Sequence, residues 1–380
     1  MKMNSSSYHI ESFGIKTYQA LQNEWCKLFA RADYAPYCLS FPWVSTFIET
    51  HQFKGRVSIL TIRQNGTLLA VLPLMICRIA WLKVAKPIGT GIPGCLGILL
   101  DSAHLDVLSQ LADFIICNRV FDVYVNDDLS SDDIATQQLL NELHKRGMKS
   151  HQVYRNITHY ARLNGSFEDY LNQTKSPKSK KKLRWKEKKL YELGQVQIHH
   201  YRGTKLTESV LDKALEIQQQ SWMVQRGAVF LANPFRRSLI LAMAQADLAR
   251  LWLMTINGDN AAFELAFHNN KRLEFHLRAF KLKFNIKQQS IGDMLTQQVF
   301  RDACHEQIKV INFGHSDALW KRFWGTHQHQ IWRSATGSRA TGRVLVGFYF
   351  AIWKIYDVKF IRRLWQRITK LIRRFYQNIS

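Results

Sequence analysis

Apolar residues along the chain recur with two periods, 3.6 and 2, and the switches between them predict its elements. The spacing predicts a helix over Thr17–Arg31, then strands over Arg56–Arg63 and Thr67–Ile76 joined by the turn Gln64-Asn65-Gly66. A glycine-rich stretch, Ile88–Gly97, follows. Helices over Leu105–Cys117 and Ile134–Arg146 bracket a strand over Val120–Val125. The pattern then returns. Helices are predicted over Thr207–Gln220 and Pro234–Ala246, and strands over Arg250–Ile256, Ala261–His268 and Arg272–Ala279, with Asn/Gly turns between them. A helix over Ile291–His305 and a strand over Lys309–Phe313 complete the second run.

The two runs share one order: hairpin, further extended chain, helix, strand. The hairpin glycines Gly66 and Gly258 are 192 residues apart, and the strands beginning near Val120 and Lys309 are 189 apart. This regularity predicts a duplicated α/β fold of about 190 residues per copy. A length of 380 residues is also close to two ordinary domains.

Composition adds little until charge is considered. Hydrophobic residues at 46% and charged residues at 22% exclude a disordered chain. Yet 53 Lys+Arg stand against 29 Asp+Glu, a net +24, and such a surface draws nucleic acid, acidic lipid, anionic polysaccharide or a phosphate-rich cosubstrate. The excess sits in two blocks. Lys175–Glu192 holds nine basic and two acidic residues, Arg343–Ser380 nine basic and one acidic, and together they supply +15 of the +24. In the first block Leu183 and Leu190 predict a surface helix with a narrow apolar seam. It reads either as a solvated face or as a clamp for an anionic substrate. Only Trp185 and Tyr191 interleave the cations, fewer aromatics than single-strand stacking platforms use. In the second block Ile361, Leu364, Trp365, Ile368, Leu371, Ile372 and Phe375 share one helix face, with Arg and Lys on the others. That pattern suits a helix lying on an anionic membrane surface, or one docked against its own protein.

Six cysteines contain no Cys-x-x-Cys pair and no neighbouring His at ligand spacing, which predicts scattered thiols in a reducing compartment and no metal site. Met1–Ser12 carries no apolar core of a secretory signal, and no apolar run approaches the roughly 20 residues a membrane span needs. The expected location is the cytoplasm, peripheral to the inner membrane face if the residues from 343 to 380 lie on lipid.

The most informative motif is Phe284–Phe300, FNIKQQSIGDMLTQQVF. Ser290 is placed to cap a helix, Asp293 to reach back as the capping-box acid, and Gly292 keeps the first turn free of a side chain. A strand leads into this helix start, whose free N–H groups and positive dipole end suit a phosphate. The motif alone also fits an ordinary capped helix.

Three stretches carry a resemblance. They are SFPWVSTFIETHQFKGRVSILTIRQNGTLLAVLPLMI before residue 77, QQQSWMVQRG over Gln218–Gly227, and IKQQSIGDMLTQQVFRDACHEQIKVINFGHSDALWKRFWG over Ile286–Gly325. In order and spacing they resemble the cellulose-biosynthesis-type (CelD/BcsL-like) acetyltransferases of the GNAT superfamily, relatives of the FemAB-like double-GNAT proteins. The resemblance implies an α/β (α+β) fold of two tandem GNAT-like lobes, each a mixed sheet flanked by helices. The implied division is a degenerate first lobe over 8–160, an acyl-coenzyme A-binding second lobe over 161–340, and a basic helical tail over 341–380. It further implies that acetyl-CoA is the cosubstrate and that its pyrophosphate rests on Gln289, Ser290, Ile291, Gly292, Asp293 and Met294. The chain departs from the family pattern at Met223, where Lys is usual, at Ile291, where Pro is usual, and at His315, where Arg is usual.

Acyl transfer from a thioester to an amine needs a base, an oxyanion donor and a proton for the thiolate, but no protein nucleophile. Glu264, among apolar residues in AAFELAF, reads as a base of raised pKa or as a paired carboxylate. Glu274 and His276 alternate on the next strand and so face one side. His315 follows a strand end and is a fourth catalytic candidate, with Asp317 beside it as a substrate-binding one. Lys321 matches the family's lysine and could meet a phosphate or carboxylate, and Trp222 could line the acceptor pocket or belong to the core. The expected activity is acyl transfer, acetyl first, to an amine or hydroxyl of a small-molecule or saccharide acceptor in polysaccharide or cell-envelope biosynthesis. Two alternatives stay open: a FemAB-like transferase using aminoacyl-tRNA, and an accessory protein with the same fold and no catalysis.

Overall fold

A computed structural model of the chain describes residues 8–50, 55–92, 94–225, 227, 229–269, 271–284, 291–338, 342 and 344–351. The first half runs β1 (Tyr8–Phe13), α1 (Gln22–Arg31), α2 (Phe41–Glu49), β2 (Arg56–Gln64), β3 (Thr67–Ile79), β4 (Leu82–Pro87), β5 (Leu99–Leu100), α3 (Val107–Cys117), β6 (Val123–Ser130), α4 (Ile134–Lys145) and β7 (Lys149–Arg162). The second runs α5 (Phe167–Thr174), α6 (Pro177–Tyr191), β8 (Val196–Arg202), α7 (Glu208–Gln219), α8 (Trp222–Gln225), α9 (Pro234–Gln245), β9 (Ala249–Ile256), β10 (Asp259–His268), β11 (Arg272–Phe280), α10 (Ile291–His305), β12 (Val310–His315), α11 (Leu319–Trp324) and β13 (His327–Gly337).

The strands join one sheet in the order β1-β2-β3-β4-β6-β13-β7-β12-β11-β10-β9-β8, with β5 pairing β3 at the side. From either end the order reads alike: four antiparallel strands, a fifth parallel to the fourth, then a strand from the other half. The parallel pairs are β4–β6 and β11–β12. β13 pairs with β6, β7 pairs with β12, and the two exchanged strands pair with each other at the centre. The duplication is therefore built into the sheet as a pseudo-two-fold relation, and the expected division at 160/161 falls within β7. A local detail repeats as well. Asn126 Oδ1 accepts the N–H of Asp128 at 3.0 Å near the end of β6, and Asn312 Oδ1 accepts that of Gly314 at 2.9 Å near the end of β12.

One face of the sheet carries a core shared by both halves, where α1 and α2 meet α7 and α9. On β10 the alternation sends Phe263, Leu265 and Phe267 into it. The opposite face has two separate cores. One packs α3 and α4 on β2, β3 and β6, and the other packs α5, α6 and α10 on β9–β11. The sequence explains α6 closely. Ser176 caps it by accepting the N–H of Ser179, Pro177 opens it, and Leu183 and Leu190 bury its seam. Lys178, Lys181, Lys182, Arg184 and Lys188 remain exposed. Residues 344–351 are helical, and Val346 and Phe350 bury against Val84, Val123, Val125 and Ala335. The remainder of the expected tail lies outside the described residues. Among the described residues, no helix is long and apolar enough to cross a membrane.

Candidate functional site

β11 and β12 are paired only from Arg272 to Glu274 and from Val310 to Asn312. Past that point the sheet opens. A β-bulge falls at the same place: Leu265 faces Leu277 but Ala266 faces Phe275, so His276 is the extra residue and its side chain is re-aimed. α10 begins beside the opening. Two cavities result, one on each side of a shared wall of Phe275, His276, Phe313 and Lys321.

The larger, of about 620 Å3, is lined by Glu264, Arg278, Ile291, Gly292, Asp293 and Trp222 among others. Glu264 is 1% exposed and ion-paired with Arg278, so the paired alternative for this residue describes its surroundings. Burial pushes its carboxyl up to about 7, with Arg278 and Lys321 pulling the other way. Arg278 is itself held, donating to Thr296 Oγ1 of α10 at 2.6 Å and lying 3.9 Å over the Trp320 ring. Lys321 is buried and donates to the carbonyls of Gly314 at 2.9 Å and His315 at 2.8 Å. Burial, then the charge of Arg278, lower its pKa to about 7.

At the start of α10, Ile291 and Met294 turn their side chains into the core, leaving only their backbone for a ligand. Gly292 faces open space, where an added Cβ would meet nothing nearer than Arg278 Nη1 at 3.8 Å. Asp293 is held by Lys186 of α6 at 2.6 Å and by Trp324 Nε1 at 3.3 Å. Gln289 and Ser290 lie outside the described residues, so the cap expected from Ser290 is not described. An open glycine in the first turn, Arg278 beside it, and a first-turn acid already neutralised by Lys186 together fit a diphosphate.

The smaller cavity, of about 230 Å3, lies between the halves and is lined by Tyr37 and Cys95 from the first and by Glu274, His276, Asn312 and His315 from the second. Glu274 and His276 do share a side. Tyr37 Oη lies 3.2 Å from His276 Nδ1, and burial, then the Arg236 charge, push this imidazole down to about 3. Asp317 stands apart from both cavities. It pairs with His159 Nε2 at 2.9 Å and with Arg322, whose guanidinium holds the carboxyl well below its usual range. Among the described residues no cluster of His, Cys, Asp or Glu could hold a metal ion.

Sequence reasoning missed Arg278, although it continues the Glu274, His276 alternation in RLEFHLRAF. It also missed Tyr37, Asp128 and Arg155, which reach the site from the other half through the strand exchange and left no local signal.

Residues 177–322 match the acetyltransferase (GNAT) domain family. Among solved structures the chain is similar to FemX, with a TM-score of 0.61 at 12% identity, over 82% of this chain and 95% of that one. It is also similar to the C-terminal domain of a putative lysylphosphatidylglycerol synthetase from Agrobacterium fabrum, with a TM-score of 0.53 at 11% identity, over 87% and 95% of the two chains. A conserved protein of unknown function from Bacteroides thetaiotaomicron gives 0.51 at 12% identity, over 87% and 100%. No curated protein matches the sequence. The fold is thus α/β with two tandem GNAT-like lobes.

Proposed function

We propose that this protein is an acyltransferase that moves an acyl group, acetyl first, from coenzyme A to an amine or hydroxyl acceptor in polysaccharide or cell-envelope biosynthesis, the role suggested by its resemblance to the CelD/BcsL-like family. The observation that carries the reading is the opened β11–β12 pair with the start of α10 beside it: a cavity of about 620 Å3 whose rim is Gly292 and whose wall holds Glu264, Arg278 and Lys321. In this reading the backbone of residues 289–294 and Arg278 take the diphosphate. The thioester lies along β11 towards the wall shared with the smaller cavity. Glu264 and Lys321, both titrating at about 7, are poised to hold or move a proton at neutral pH. The lobes keep the proposed spans 8–160 and 161–340.

Isothermal titration with acetyl-CoA tests the reading, with Gly292→Glu as the companion. Wild type is expected to bind. The variant is expected to lose at least tenfold in affinity, because a carboxylate would project from Gly292 towards the phosphates. A folded wild type that does not bind overturns it.

A second reading, an aminoacyl-tRNA-dependent transferase, is favoured by one observation. α6 packs beside α10 and offers the exposed cations Lys178, Lys181, Lys182, Arg184 and Lys188, a surface for a donor longer and more anionic than coenzyme A. Saturable binding of charged tRNA without acetyl-CoA binding would select it.

For residues 343–380 we propose an anionic membrane partner at the inner face. Because Val346 and Phe350 belong to the folded body, the comparison is the full chain against a truncation after residue 351. Only the full chain is expected to float with anionic vesicles, and equal flotation of both refutes the proposal.

A further inference from the structure

The two basic blocks supply +15 of the net +24, and of the remaining +9 a single stretch holds +6. Between Glu49 and Asp101 the chain has six Lys or Arg and no Asp or Glu. Three of these cations, Arg56, Arg78 and Lys83, line one pocket at the end of the β3–β4 hairpin. Arg56 stands opposite Ile76 and Arg78 opposite Lys83, so the three share one face of the sheet. Like charges placed directly opposite one another are destabilising, and among the described residues no acid pairs with Arg56 or Arg78. An anion arriving from outside would relieve that repulsion.

The hairpin tip is apolar where tips are ordinarily polar. β3 and β4 pair out to Ile79 and Leu82, which leaves Ala80 and Trp81 as the turn. Ala80 takes φ 53°, a left-handed conformation that suits Gly or Asn far better. Trp81 is 75% exposed, and Ile79 beside it is exposed as well. The pseudo-two-fold relation supplies the comparison. The counterpart of β3–β4 is β10–β11, whose connection reads Asn269-Asn270-Lys271, and the turns after β2 and β9 read Asn65-Gly66 and Asn257-Gly258. The frame does not require an aromatic tip, and Trp81 contributes nothing to a core.

The helix over residues 344–351 begins beside this tip. The Asp122 N–H donates to Lys83 O at 2.8 Å, and the Ser338 N–H donates to Asp122 O at 2.9 Å. A Cβ on Gly342 would stand 3.2 Å from that same Asp122 oxygen. Hairpin and helix are thus tied to one corner of the sheet. The helix turns Val346 and Phe350 inward, and on its opposite side Val344 and Phe348 are exposed. Beyond residue 351 the chain continues into the basic sequence whose apolar residues share one helix face.

We infer that this corner of the first lobe is a membrane-docking surface. Trp81 and Ile79 enter the interfacial layer of an anionic bilayer, and Arg56, Arg78 and Lys83 meet its phosphates. The inference rests on the anionic-membrane reading of residues 343–380 and adds to it a second contact, on the folded body. An indole favours the headgroup layer, where its ring is covered and its N–H stays wet, and flanking cations are attracted to an anionic leaflet. The lack of acid from Glu49 to Asp101 and the continuity with the tail select a lipid surface over a protein socket. A tail helix alone would tether the body without orienting it; two contacts fix which side faces the lipid. The tip is one aromatic anchor, and without the tail it is not expected to hold the protein on vesicles.

The test is co-sedimentation of the full chain with vesicles of phosphatidylglycerol and phosphatidylcholine, and with phosphatidylcholine alone. Trp81 packs on no core, so Trp81→Ala is expected to unfold at the wild-type temperature. It is expected to bind the anionic vesicles about tenfold more weakly, the size of half-burying an aromatic side chain. Arg78→Glu is expected to lose more affinity at low salt than at high salt. Trp185→Ala, which removes an exposed indole from α6, is expected to bind as wild type does. Lipids with brominated acyl chains are expected to quench the wild type more than Trp81→Phe. A wild type that does not bind anionic vesicles sinks the membrane reading as a whole. A Trp81→Ala chain that binds as tightly as wild type overturns the docking corner and leaves the tail reading standing. Equal binding to phosphatidylcholine alone overturns the part given to the cations. A lipid-free dimer that Trp81→Ala dissociates, with vesicle binding unchanged, overturns the lipid assignment in favour of a second copy of the chain.

Discussion

Arg278→Met is the perturbation whose size can be worked out most directly. Arg278 forms the ion pair described for Glu264, bonds Thr296 and covers Trp320. Glu264 titrates at about 7 against an ordinary 4.5, so between those values the folded chain keeps a proton that the unfolded chain has released. Its contribution to stability is complete below about 4.5 and is lost as pH rises to about 7, by roughly 3 kcal/mol at 1.36 kcal/mol per unit. Arg278 pulls that pKa down, so its removal raises the value and extends the loss above neutrality. At pH 5 Glu264 is protonated in both folded proteins, and the substitution costs the hydrogen bonds to Glu264 and Thr296 and the stacking on Trp320, about 2–3 kcal/mol. At pH 8 the wild-type carboxylate is ionised and paired, whereas in the variant it must stay protonated or sit unpaired. Each unit of added shift costs about 1.4 kcal/mol, and the total approaches the roughly 3–5 kcal/mol of a broken buried pair. Urea unfolding at both pH values, followed by tryptophan fluorescence, measures the difference. An equal loss at pH 5 and pH 8 would refute the reasoning, as would a Glu264→Gln protein with undiminished pH dependence between about 4.5 and 7.

Two further outcomes follow from packing and burial. Gly97→Ala would drive a Cβ into Thr136 Oγ1, which accepts the Ile98 N–H, and into Asp133 Oδ2, whose carboxylate caps α4 through its other oxygen; an overpacking loss of about 1–3 kcal/mol is expected in thermal unfolding. Thiol labelling of the native chain at pH 8 is expected to modify the exposed Cys26 and Cys117 but to spare the buried Cys38 and Cys95, whose pKa values burial raises, that of Cys95 to about 12. Rapid labelling of Cys95 would mean that the interlobe cavity opens to solvent.

The elements with regular periodicity were legible. β2, β3, β9, β10 and β11 bury one or both faces in apolar cores, and α3, α4, α7, α9 and α10 each bury one stripe, so their patterns survive in the sequence. β7 and β13 were not. They form the centre of the sheet, yet β7 reads KSHQVYRNITHYAR and is exposed over its first seven residues, and β13 begins HQHQ. Their buried polar groups answer residues of the other half: His159 meets Asp317, His329 lies 3.1 Å from Asp132 Oδ2, and Arg333 bonds Asp127. No local window carries a pairing made across the strand exchange. The same reason hid Asp128. The helix start beside Gly292 was legible because the glycine and the apolar stripe are adjacent in sequence. The bulge at His276 was not, because it depends on the register of β10.

The two copies of the frame have been put to different uses, and the glycine-rich stretch shows how. In the second lobe the gap beside the parallel pair stays open. In the first, the pair β4–β6 is followed by the loop over residues 88–97, whose Ile88, Ile92 and Leu96 fill the corresponding space and join the shared core. The loop lies close enough to fill it because its glycines carry no side chain: a Cβ on Gly89 would meet Trp43 Nε1 at 2.9 Å. Asn126, the counterpart of Asn312, locks the loop by donating to Leu96 O at 2.6 Å. The helix start is also taken. α3 has Asp106 at its cap, engaged by Tyr8 Oη at 2.7 Å, and Leu108 where α10 has Gly292. A diphosphate would meet a carboxylate and a bulky side chain there. With its own gap filled, its loop and the segment before α2 supply part of the wall of the interlobe cavity, through Cys95 and Tyr37. A second lobe expressed alone would lose that wall and β7, the strand that pairs with β12.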